Sequence, residues 1–184
     1  MNKILSTFVA MVIGCNNMIS NVPAQLLMKD QVIYEEGIVY DEVCEAYDQL
    51  PDKVKDIMDE EGYQVYVVDV IDNKAEGMLL GRTYYGYKVI KILNRNYFVE
   101  RTVLHEYGHA LDKALKFNHI SKTDEFKQIY LNEKANFKVD ENRDYYVEDI
   151  TEYFAQAFAE YIQNPQRLQD NTPETYTFIE NCIK

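Results

Sequence analysis

Cationic residues, cysteine and histidine are the scarce components of this 184-residue chain, and each scarcity narrows what it can be. Lys and Arg together number 19 against 31 Asp and Glu, a formal charge of −12. A surface that acidic repels phosphates, so no nucleic acid is expected as a partner; peptides that are neutral or basic suit it better. Only three cysteines occur, Cys15, Cys44 and Cys182. The last two leave either one disulfide or two free thiols open, and neither has a ligand-like residue beside it, which excludes a cysteine metal site. With 7 glycines and 4 prolines the chain has no Pro/Gly-rich linker, no repeat and no low-complexity block, so one domain is expected. Its length and its 47% hydrophobic and 13% aromatic residues make that domain globular, with a real core.

Long apolar runs are also missing. The one at Ile4 to Gly14 is too short to span a bilayer, so no transmembrane helix is expected. Following Met1-Asn2-Lys3 and ended by Asn16-Asn17, it reads as an export signal. Two processing sites compete. Val22-Pro23-Ala24 has the small residues a signal peptidase reads, giving a signal at 1–24 and a mature domain at 25–184. Val12-Ile13-Gly14-Cys15 resembles a bacterial lipobox, in which Cys15 would carry a lipid anchor. Either outcome places the mature protein outside the cell, secreted or held at the cell surface.

Histidine is as rare as cysteine, yet two of the three lie four residues apart in His105-Glu106-Tyr107-Gly108-His109. On an α-helix that spacing puts both imidazoles on one face, about 6 Å apart, where they can grip one Zn²⁺. Glu106 lies at the edge of the same face and can take a proton from water at the open coordination position. A third ligand is needed. Downstream, Ile150, Phe154, Ala157, Phe158 and Tyr161 recur at helical spacing, and Glu152 and Gln156 lie one turn apart close to that apolar stripe. A carboxylate there is costly without a cation or donors. Glu152 therefore completes a His₂Glu set with the fourth position left for water, the alternative being one more solvated acid.

The two segments together resemble the zinc metallopeptidase domain of anthrax toxin lethal factor and its smaller relatives, the secreted Pro-Pro endopeptidases. The similarity is carried by His105 to His109 continuing Ala110-Leu111-Asp112, by Tyr145 seven residues ahead of Glu152, and by Tyr153-Phe154-Ala155-Gln156-Ala157-Phe158. It extends more weakly to Asn171-Thr172-Pro173-Glu174-Thr175-Tyr176 and covers about residues 35 to 184. The resemblance implies a zincin-like fold and Tyr145 as the donor that meets the oxyanion; the adjacent Tyr146 is its competitor. It also implies cleavage at proline-rich sites. One departure is Gln156, which stands where many relatives carry a second glutamate. Glutamine can hydrogen-bond a ligand histidine but adds no negative charge, so Gln156→Glu is expected to tighten zinc binding modestly.

The remaining pattern predicts an α+β domain, a small twisted mixed sheet beside a mainly helical body. Residues 25–40 lead in as an arm or short helix. Helices are expected from Tyr40 and from Asp52 to Gly62, a strand from Tyr63 to Val70, turns at Asp72-Asn73 and Gly77, and one further β region from Gly81 to Ile92 bent at Gly86. The metal helix should run from about Phe98 to Lys116. Gly108 inside it allows either close approach of another backbone at the site or plain helix packing. Asp112 either orients a ligand imidazole or is a solvated acid, and His119 is a loop residue rather than a ligand. Ser121 or Thr123 caps a helix through Phe126 and Leu131, and Asn136 to Asp144 forms a polar loop. Asn164-Pro165 ends the Glu152 helix, and Thr172-Pro173 caps and opens the last one.

The reading that unites these features is an exported zinc-dependent endopeptidase, acting as a monomer on peptide or protein substrates with one Zn²⁺ per chain. Its alternative is a non-catalytic exported zinc-binding protein, against which the intact base Glu106 argues. A toxin component acting inside another cell ranks last, since no translocation domain fits in this length. An extended substrate is expected to add to the sheet edge near Gly81 to Ile92.

Overall fold

The structure, a computed structural model, describes residues 38–68, 70–72, 79–94 and 98–184. The export signal, the Cys15 site, the leading arm before Ile38 and the turn residues Asn73 and Gly77 lie outside the described residues. Helix α1 (Ile38–Asp48) is followed by α2 (Asp52–Glu61), which ends where expected. Gly62 takes the left-handed conformation at φ 76°, and its amide and that of Tyr63 turn back onto Asp59 and Met58 carbonyls.

Three strands form one sheet in the order β1-β3-β2, with β1 (Gln64–Val68) parallel and β2 (Gly81–Tyr84) antiparallel to the central β3 (Val89–Leu93). The single β region expected from Gly81 to Ile92 is thus two strands. Tyr85 to Lys88 reverse the chain, with Lys88 at φ 55° and the Tyr87 amide donating to the Tyr84 carbonyl at 3.1 Å. Gly86 sits in that reversal rather than at a bend within one strand. The tyrosines on either side of it, good strand formers, mask the turn in the sequence. Both faces of the central β3 are covered: Ile90 and Ile92 join the main core, while Val89 joins Tyr66, Val68 and Ile71 on the other face. Lys91 is buried on that second face with its ammonium 5.2 Å from the centre of the Tyr84 ring, and burial lowers its pKa.

Helix α3 (Val99–Leu115) is the hub, packing on α1, on β2 and most extensively on α6 (Ile150–Gln163). A Cβ on Gly108 would meet the Ala155 backbone, 2.7 Å from its Cα and 2.7 Å from its carbonyl oxygen. The glycine therefore serves both expected purposes at once: it is a helix-packing residue, and the backbone it admits is that of the Glu152 helix. Thr123, not Ser121, caps α4 (Asp124–Glu133), accepting the Phe126 amide at 3.3 Å, while Ser121 lies in a single 3₁₀ turn. Leu131, expected on the apolar side of this helix, is exposed. The polar loop expected to reach Asp144 ends earlier, at the short helix α5 (Arg143–Glu148). Arg143 pins its start by donating to the carbonyls of Phe137, Lys134 and Ala135.

Pro165 stops α6 but also opens a further helix, α7 (Pro165–Asn171), because proline's fixed φ suits a first turn as well as a stop. Helix α8 (Pro173–Ile183) begins as expected, but the Thr172 side chain does not cap it. That hydroxyl donates back to Leu168, and the Glu133 carboxylate of α4 receives the Glu174 and Thr175 amides at 2.9 and 2.8 Å instead. A charged acceptor at a helix N-terminus outcompetes a hydroxyl. Phe126, Phe137, Tyr153, Phe154 and Phe158 fill the centre between α3, α4 and α6. Cys44 and Cys182 are free thiols, and no helix among the described residues is long and apolar enough to cross a membrane. The architecture is α+β, a small mixed sheet beside a mainly helical body.

Candidate metal centre

Helix α3 carries His105 and His109 one turn apart, both buried at 9% and 8% exposure, with ring centres 4.7 Å apart and planes perpendicular. Helix α6 delivers Glu152 to them. Asp149 precedes this helix, and its Oδ1 accepts the Thr151 amide at 2.7 Å and the Glu152 amide at 3.4 Å, so Glu152 falls in the first turn. Burial would raise the Asp149 pKa, but the Thr151 hydroxyl and these two amides outweigh it and lower it.

Glu152 reaches both imidazoles: Oε2 lies 3.2 Å from His105 Nε2, and Oε1 lies 3.4 Å from His109 Nε2. Burial alone would push the Glu152 carboxyl up, but the two histidines more than offset it and hold the group well below the ordinary carboxylate range. His109 moves the other way. Burial opposes its charge, yet Glu152, Glu106 and Asp112 together raise its pKa. One ligand atom from each of His105, His109 and Glu152 can be chosen so that all lie within 4.8 Å of one another. Metal–ligand bonds of about 2.1 Å in a tetrahedron set neighbouring ligand atoms about 3.4 Å apart, which the two histidine–glutamate separations match. Among the described residues, Glu152 Oε2 and His109 Nδ1 are buried without a hydrogen-bond partner, although His105 Nε2 lies 3.2 Å from the former, and a cation among the three ligands would satisfy the carboxylate oxygen. Residues and spacing fit a zinc ion.

Glu106 is held from the sheet side. Thr83 of β2 donates its hydroxyl to the Glu106 carboxylate at 2.7 Å and lies 3.0 Å from the Glu106 carbonyl oxygen. Gly81, at the start of the same strand, lies so close that an added Cβ would sit 2.8 Å from Glu106 Cγ and 2.9 Å from Oε1. Beside the ligands runs a cleft of about 300 Å³ lined by Leu79, Gly81, Phe98, Arg101, His105, Glu106, Tyr145 and Tyr146, among others. A larger groove of about 990 Å³, bordered by Leu115, Ile129, Phe178 and Cys182, contains none of these titratable groups. Volume alone would choose the groove; the convergence of buried ionisable side chains chooses the cleft.

The two candidate tyrosines are separated by their surroundings. Tyr146 packs its ring 5.4 Å from the His105 ring and lies under the Arg101 guanidinium. Tyr145 is half exposed in the cleft, and burial followed by the Glu152 charge raises its phenol pKa, keeping it protonated. Asp112 has neither expected role. It is fully buried and turned away from the ligands, accepting the Ser121 amide and hydroxyl at 2.7 and 2.9 Å and contacting His119 Nδ1 at 2.8 Å. It anchors the chain where α3 ends. His119 is bound up in that anchor at φ 64° and lies outside the ligand set, as expected.

Sequence reasoning did not identify Gly81, Thr83, Asp149, Glu160 or Arg167, all of which support the site. Only Asp149 had a local signal, its spacing to Glu152 being that of a capping box. The glutamate of that pattern is turned onto the histidines rather than back to the cap.

Residues 91–182 match the family model described as anthrax toxin lethal factor, N- and C-terminal domain. That span is half of the chain and contains His105, Glu106, His109, Tyr145 and Glu152. The fold is similar to that of the Pro-Pro endopeptidase from Paenibacillus alvei, with a TM-score of 0.63 and 21% identity, covering 82% of this chain and 94% of that one. A search of curated proteins finds no match. With the family match spanning both site helices, the chain belongs to the anthrax toxin lethal factor N- and C-terminal domain family.

Proposed function

We propose that the protein is a zinc-dependent endopeptidase. The observation that carries this reading is the convergence of His105, His109 and Glu152 beside an independently held Glu106 at one cleft. His105, His109 and Glu152 hold one ion per chain, and a zinc ion there supplies Lewis-acid polarisation of a carbonyl and lowers the pKa of a water. Glu106, steadied by Thr83, accepts the proton of the attacking water and passes it to the leaving amine. The Tyr145 phenol, kept protonated in the cleft beside Glu152, donates to the carbonyl oxygen as charge develops on it.

Substrate lies extended along the cleft. Of the two edge strands, β1 and β2, it is β2 that borders the cleft, and β3 is paired on both sides; the edge expected to run on to Ile92 is narrowed to Gly81–Tyr84. Leu79, Phe98 and Tyr145, all exposed around the cleft, suit apolar residues, and the Pro-Pro endopeptidase likeness suggests proline among them. Export through the 1–24 signal or a lipid anchor at Cys15, and action as a monomer outside the cell, complete the reading. Peptidase activity on a proteome-derived peptide library, followed through zinc removal and readdition, tests it. Activity lost on chelation and restored by zinc supports the proposal, and cleavage indifferent to chelation overturns it. Products without proline enrichment remove the specificity claim alone.

A further inference from the structure

Gln156 is fully buried, and its amide must find partners for both ends. Its Oε1 lies 3.2 Å from His105 Nδ1, and its Nε2 donates to Glu160 Oε1 at 3.3 Å. Glu160 is itself 1% exposed, and its other oxygen receives the Arg167 guanidinium at 2.6 and 3.1 Å. Arg167 is in turn gripped by Asp140 at 2.5 Å. The chain of contacts has a direction. A carboxylate can only accept, so the amide of Gln156 must turn its NH₂ towards Glu160 and its oxygen towards His105. His105 Nδ1 must then donate, which in the neutral ring makes Nε2, the nitrogen on the Glu152 side, the one free to bind a metal. Among the described residues the corresponding Nδ1 of His109 has no partner, so within them the device serves one ligand of the two.

We infer that Glu160, clamped by Arg167, is a positioning residue for the ligand His105, acting through the amide of Gln156. The role of His105 as a ligand rests on the function proposed above; the Gln156–Glu160 coupling does not. A glutamine gives a ligand histidine no fixed acceptor by itself, because either end of the amide can face the ring. Glu160 removes that ambiguity and places a buried negative charge one hydrogen bond further out.

This changes what Gln156→Glu does. The new carboxylate would stand where an amide now meets Glu160 at 3.3 Å, and two buried acids in contact repel. The single substitution therefore does not tighten zinc binding, contrary to the expectation from sequence. The exchange Q156E/E160Q keeps every contact matched: the amide introduced at 160 offers its oxygen to Arg167 and its NH₂ to the carboxylate introduced at 156, which accepts from His105.

The test is zinc affinity by chelator competition, with urea denaturation of the metal-free protein, on the full chain and its variants E160M, E160Q, Q156E and Q156E/E160Q. E160M should weaken zinc binding about 10- to 100-fold. Q156E should bind no more tightly than the unaltered chain and unfold at lower urea, and the double substitution should restore the midpoint and equal or exceed the original affinity. Affinity of E160M within about twofold of the original, or a double variant equal to the sum of the singles, overturns the inference. If E160M does not fold, the exchange pair decides. If the unaltered chain takes up no zinc, the metal reading falls, while the urea midpoints still judge the coupling: restoration supports it and additive loss refutes it.

Discussion

Two glutamates lie beside the paired histidines, and the protein holds them by different means. Glu152 arrives on the first turn of α6, set there by the Asp149 cap, and spends both oxygens on His105 and His109. Glu106 belongs to the histidine helix itself and is steadied by a neutral hydroxyl from the edge strand, with Gly81 pressed against its other oxygen. The first arrangement ties a carboxylate to two histidines; the second gives it one neutral hydroxyl donor. In the proposed function the division between ligand and base follows from which neighbours each acid meets, since the residue type is the same.

The sharpest way to break this comparison is to remove the acid at each position while keeping its shape. Glu106→Gln should lower turnover by about 10²–10⁴-fold with zinc retained, because the amide cannot accept the proton. Turnover near the original level in that variant ends the assignment of Glu106 as base. Tyr145→Phe comes next, with kcat lowered about 10²–10³-fold and KM little changed, the mark of a donor that acts mainly in the transition state. An unaffected Tyr145→Phe would move that role to Tyr146 or another group.

Gly81→Ala tests the support of the base rather than the base. Its methyl would collide with Thr102 Cγ2 at 2.6 Å and with Glu106, whose side chain must yield. Zinc content should stay the same while kcat drops about 10²-fold or less, as expected for a misplaced catalytic group. Equal activity would show that the strand does not position Glu106.

The smallest effect expected is on pH dependence of the metal-free protein. Glu152 is depressed on folding, so its contribution is present above its ordinary value of 4.5 and lost as the pH falls. His109 is raised, so its contribution is present below 6.5 and lost as the pH rises. Stability from this pair should therefore be fully present between those values and decline on both sides. Denaturation midpoints across that range check it, and Glu152→Gln should flatten the acid limb. An unchanged acid limb would contradict the ion pairing.

Most of the candidate metal cluster was legible in the sequence because its geometry is local. His105 and His109 are joined by one helical turn, and Glu152 declares itself as an acid beside an apolar stripe. The supports were not legible, because Thr83 lies 23 residues from Glu106 and its relation to that acid exists only once β2 packs on α3. The hairpin at Tyr85 to Lys88 was hidden by the strand-forming tyrosines within it. Asp112 was misjudged for a similar reason: helical spacing placed it near the ligands, but the chain folding back at Ser121 and His119 claims its oxygens. Gln156 was read as able to hydrogen-bond a ligand histidine, and it meets His105, yet what makes it a directed partner is Glu160, four residues further along the same helix and held by Arg167.

The central claim is that one acid holds the metal and the other does not. Metal content by elemental analysis of the unaltered chain, Glu106→Gln and Glu152→Gln, each purified with equal zinc, tests it most directly. The account predicts one zinc per chain in the first two and near-complete loss in Glu152→Gln. Equal zinc in the two variants, or loss in Glu106→Gln with retention in Glu152→Gln, would contradict it.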